Sequence, residues 1–118
     1  VTANALSVRS IPKLIKFLWE TYPDVKVQIR PVINKTEVLM ENIPDRFKAE
    51  SLAFFEEHKN KLDGVDHVIN EMRKPFNNDM KRKLTVRKFV DYYDKNGPVK
   101  YDNFDPQLAE WIWSDAEE

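Results

Sequence analysis

Two short runs of alternating residues, Val1-Thr2-Ala3-Asn4-Ala5-Leu6 and Val25-Lys26-Val27-Gln28-Ile29-Arg30, enclose one amphipathic helical stretch. A helical crossover makes the strands it joins lie parallel. Parallel strands need both faces covered and neighbours along their edges, and a lone pair is marginal in water. The first run opens the sequence already extended. The pattern therefore predicts either the closing stretch of a larger α/β domain or a sheet completed by self-association.

The crossover has clear boundaries. Ser10 is placed to cap it, and Pro12 sits in the first turn where its missing N–H costs nothing. Leu14, Ile15, Phe17, Leu18 and Tyr22 recur at helical spacing until Pro23. Beyond the second strand, Val38 to Met40 reads as a short extended piece. Asn42, with Pro44 in the first turn, opens a helix with a stripe of Phe47, Leu52, Phe54, Phe55 and Leu62, closed by a left-handed Gly64. Val65, Val68, Ile69 and Met72 form a further helix that Pro75 ends.

Asp79 caps the next helix, whose predicted core face is Leu84, Phe89, Val90 and Tyr93, and Gly97-Pro98 stops it. Tyr101 to Phe104 reads as loop. Asp105-Pro106 opens a last helix holding Leu108, Trp111 and Ile112, while Trp113 points elsewhere, as interface tryptophans do. Asp115 to Glu118 reads as a frayed tail. The predicted class is α/β: a strand-helix-strand unit with parallel strands over 1–34, then roughly four helices over 35–118. The chain is predominantly helical, a single domain or domain fragment.

Composition removes several functions. With zero cysteines the chain forms no disulfide, offers no thiolate nucleophile and supplies no sulfur ligand to zinc or iron. Its 2 glycines disfavour phosphate-cradling loops. A formal charge of −1 provides no general attraction to nucleic acid or anionic membrane. No stretch approaches the ~20 apolar residues of a membrane span. A reducing, cytoplasmic location is the expectation.

Four ordered pieces resemble the C-terminal part of twitch-type radical S-adenosylmethionine enzymes, which carry a partial α/β barrel. Val1 to Val8 running into Ile11-Pro12-Lys13-Leu14 looks like a late barrel strand and its helix. Val27-Gln28-Ile29-Arg30-Pro31-Val32-Ile33 looks like the next strand. Asn42-Ile43-Pro44-Asp45-Arg46-Phe47-Lys48 is similar to the family's Leu-Pro-x-x-x-Lys entry into its post-barrel helices. Phe89 to Asp94, continuing to Phe104-Asp105-Pro106-Gln107-Leu108, is similar to its closing pattern of Asp-x-x-Arg, loop, Phe-Pro-Glu-Leu.

The departures are specific. Asn96 stands where an Arg is expected, Asp105 precedes Pro106, and the Cys-x-x-x-Cys-x-x-Cys cluster motif is absent. The resemblance thus implies a non-catalytic segment that walls the substrate pocket of a parent enzyme. The iron–sulfur cluster and S-adenosylmethionine would belong to the complete parent, and its N-terminal part would be the partner.

Polar side chains at strand ends line the mouth of a barrel site. On that reading Asn4, Gln28 and Arg30 face S-adenosylmethionine or substrate, with Arg30 gripping a carboxylate. Alternation alone leaves the other option, a sheet face turned to water. Two alternative functions stand beside this one. The chain is a homo-oligomeric, helix-rich interaction module, or a small nucleic-acid-binding domain using the basic stretch of Arg73, Lys74, Lys81, Arg82, Lys83, Arg87 and Lys88. A solvated helix explains that stretch better, since its cations spread around the helix. His58 and His67 lie too far apart for a helical metal pair.

Overall fold

The first strand stops after two residues in the computed structural model, which describes residues 1–116 and 118. Strand β1 is Thr2–Ala3, not the predicted Thr2 to Leu6. The cause is Asn4, whose Oδ1 accepts hydrogen bonds from the amides of Leu6 at 2.8 Å and Ser7 at 3.1 Å. This local side-chain capture competes with the ladder and turns the chain toward the crossover helix. Helix α1 then spans Ile11–Thr21, with Pro12 in its first turn as expected. Ser10 occupies the cap position without capping; its Oγ donates to the Ser7 carbonyl instead. Ile11 and Ile15 enter the core, whereas Leu14 and Phe17 remain exposed.

The second extended run is divided between two partners. Strand β2, Val27–Gln28, and strand β3, Arg30–Pro31, replace the predicted Val25 to Arg30. β3 pairs in parallel with β1, and β2 pairs in parallel with β4, Leu62–Asp63. One extended stretch thus has neighbours from its own chain on both sides. The expectation that these strands need another polypeptide for pairing is corrected on this point. Val1 extends the first pairing: its backbone nitrogen donates to the Gln28 carbonyl at 2.8 Å and its carbonyl accepts from the Arg30 amide at 3.0 Å.

Between the strands the backbone winds tightly. Thr36–Val38, Met40–Asn42 and Asp45–Phe47 are 3-10 turns, so the extended piece expected at Val38 does not form. Helix α2 begins only at Ala49 and runs to Glu57. Asn42 is no cap: it is buried, donating from Nδ2 to the Thr36 carbonyl and accepting from Arg82. Gly64 is left-handed at φ 80°, yet it links β4 to helix α3 rather than ending α2. α3, Val65–Met72, buries Val65, Val68, Ile69 and Met72, the stripe read from sequence.

Helix α4 spans Met80–Asn96, and Asp79 Oδ1 accepts from the Lys81 amide at 2.9 Å. Its core face differs from expectation. Leu84 is 47% exposed, while Lys83 is only 5% exposed beside buried Val86 and Val90. Tyr101–Phe104, expected as loop, forms the short helix α5. Helix α6, Pro106–Trp113, has Asp105 as its working cap, accepting from Leu108. Trp111 is buried against Phe47 and Phe76, and Trp113 is 51% exposed. The expected tail includes Glu117, which lies outside the described residues. The result is a helix-rich α/β protein with small parallel sheets.

Two long-range contacts join the carboxyl end to the first turn. Arg9 pairs with Asp105 at 2.6 Å, and the Tyr101 hydroxyl donates to the Leu6 carbonyl at 2.6 Å. Burial raises the Tyr101 ionisation well above the usual tyrosine range; Asp105 adds to this and Arg9 opposes it. A raised pKa stabilises the fold fully below the unfolded value and less as pH climbs past it. Wild-type stability should therefore fall by roughly 1.4 kcal/mol per unit above about pH 10. Denaturant melts of wild type and Tyr101→Phe at about pH 8 and 11 isolate this contribution. The gap between them should narrow at alkaline pH, and a constant gap contradicts the assignment.

Candidate functional site

The two small parallel pairings each have unlike faces. Ala3, Val27, Ile29 and Leu62 belong to the core, while Thr2, Gln28, Arg30 and Asp63 are exposed. Parallel register sets Thr2 beside Arg30 and Gln28 beside Asp63. Gln28 and Arg30 therefore share an open, polar surface. Asn4 is elsewhere: its carboxamide is engaged in the turn, and it lines a separate cavity of about 260 Å³ with Phe89, Tyr93, Tyr101 and Phe104.

Arg30 borders a larger groove of about 590 Å³ at the carboxyl ends of β3 and β4. Pro31, Ile33, Asp63, Gly64, His67, Asn70 and Glu71 complete its lining. The guanidinium is tied to the backbone, Nη1 donating to the carbonyls of Ile29 at 3.1 Å and Asp63 at 3.3 Å. Gly64 makes that position possible. A Cβ there would stand 1.5 Å from Arg30 Nη1 and 2.7 Å from the Ile29 carbonyl oxygen. Among the described residues, no carboxylate lies within ion-pair distance of Arg30. Glu71 is paired with Lys74 at 3.0 Å. Sequence reading singled out Arg30 and missed the groove, because only the β2–β4 pairing brings residues 30 and 63 together.

The basic stretch is largely engaged within the molecule. Arg73 pairs with Glu56 at 2.6 Å, Lys74 with Glu71, and Arg82 with Glu41 at 3.1 Å. Lys83 Nζ donates to the carbonyls of Ser114 and Ala116, each at 2.7 Å, and lies 4.3 Å from the Trp111 ring centre. Arg87 donates to the carbonyls of Ile112 and Ser114. These cations receive the carbonyls at the end of α6, where the helix dipole favours positive charge. Burial, reinforced by Arg87 and opposed by Asp115, holds the Lys83 ammonium below the usual lysine range. Lys81 and Lys88 remain on the surface.

Comparison with known proteins supplies no relative: no family model, curated protein or solved structure matches the chain. Among the described residues, no helix is long and apolar enough to cross a membrane.

Proposed function

We propose that this chain is a non-catalytic wall segment of a radical S-adenosylmethionine-like enzyme. One observation carries the reading. The parallel pairings are polar and open on one face and packed into the core on the other. In an α/β barrel the helices cover the outer face, the inner face is packed with side chains, and the site opens at the carboxyl ends of the strands. Gln28 and Arg30 belong to the exposed face, and Arg30 borders the groove at the carboxyl ends of β3 and β4, which supports such a role. Asn4, whose carboxamide is engaged in the turn that ends β1, borders a different cavity and is not part of this surface. With no cysteine, the segment does not fit an iron–sulfur cluster, and the cluster ligands would have to come from the rest of the parent.

The reading frame upstream of Val1 in the genome tests this. It should encode Cys-x-x-x-Cys-x-x-Cys on an earlier strand; a stop codon or an unrelated domain there overturns the proposal. A second reading, a homo-oligomeric interaction module, is favoured by the exposed Phe17, Tyr92, Phe104 and Trp113. Light scattering that finds a strict monomer at high concentration removes it.

A further inference from the structure

We infer that the groove between β3, β4 and α3 binds a free α-amino acid with an aliphatic side chain, in this chain alone and without any barrel parent. Its charges are arranged for a dipolar ligand. Arg30 is pinned through Nη1 to two backbone carbonyls, which orients its remaining N–H donors without a carboxylate partner among the described residues. Asp63 bonds Arg30 only through its backbone oxygen. Its carboxylate is exposed and forms no ion pair among the described residues. Arg30 and Asp63 thus both line this groove, and no ion pair joins their side chains among the described residues.

A ligand carrying carboxylate and ammonium on one carbon spans such a pair, with the carboxylate on Arg30 and the ammonium at Asp63. Glu71, already held by Lys74, does not compete for the ammonium. Ile33, 66% exposed on the groove wall, offers apolar surface to an aliphatic side chain. Location agrees with the chemistry, because ligands of open parallel sheets collect outside the carboxyl ends of the strands. Gly64 is what allows the arginine to stand there.

Calorimetric titration of the 118-residue chain with L-leucine up to about 10 mM tests the inference. N-acetyl-L-leucine, lacking the ammonium, and L-leucinamide, lacking the carboxylate, should each bind roughly tenfold more weakly or worse. Arg30→Gln should weaken L-leucine by a similar factor, and so should Asp63→Asn, which keeps the backbone oxygen that Arg30 uses. Circular dichroism checks that both variants remain folded. Absence of binding to the wild type, equal binding of the three compounds, or unchanged affinity in either folded variant overturns the site. None of these results depends on what the genome encodes upstream.

Discussion

Gly64→Ala should destabilise the protein by about 2–4 kcal/mol in denaturant melts, one of the largest losses for so small a change. Two effects combine. The backbone at φ 80° is left-handed, a conformation any Cβ resists. The added methyl also falls within 1.5 Å of Arg30 Nη1 and 2.7 Å of the Ile29 carbonyl. The two contacts are not equivalent. Arg30 ends a flexible side chain and can swing away, giving up its carbonyl bonds, whereas the Ile29 carbonyl belongs to the stretch paired on both sides. Adding Arg30→Ala to Gly64→Ala should therefore restore only a minor part of the loss. Full recovery in the double variant would show that side-chain overlap, rather than backbone, sets the conformation.

Phe55→Ala should cost about 3–5 kcal/mol and lower the melting temperature by about 10 °C or more. Phe55 has no exposed surface and lies in the last turn of α2, the helix that touches both α1 and α3. Its ring lies 5.9 Å from that of Phe54 in an edge-on arrangement. Truncation leaves a void in a close-packed core, which relaxes only in part. Phe17→Ala supplies the contrast: that ring is 58% exposed on α1, and its loss should change stability by about 0.5 kcal/mol or less. Similar losses from both variants would mean that the core is not where the structure places it.

Much of the helical framework was legible because local chemistry decides it. Asp79 and Asp105 cap their helices, Pro23 follows the end of α1, and the Val65-Val68-Ile69-Met72 stripe is buried as its spacing demands. Other features depend on contacts that sequence periodicity does not carry. Strand β4 is only Leu62–Asp63, too short to alternate, and exists because an extended neighbour waits beside it. Asn4 was readable as strand until its carboxamide found the amides of its own turn. Leu84 and Lys83 reversed roles. The rule that apolar residues go inward fails where a lysine ammonium sits over the Trp111 ring and meets two carbonyls. The candidate site was half visible: Arg30 stood out by type, but its groove required a pairing between distant segments.

The Lys83 and Arg87 clamp also bears on how the molecule opens. Separating α6 from α4 breaks four charge-assisted hydrogen bonds together, and water then solvates both cations and offsets part of that loss. Because Lys83 and Arg87 both hold the Ser114 carbonyl, a fluctuation that draws the end of α6 away loosens the two contacts together.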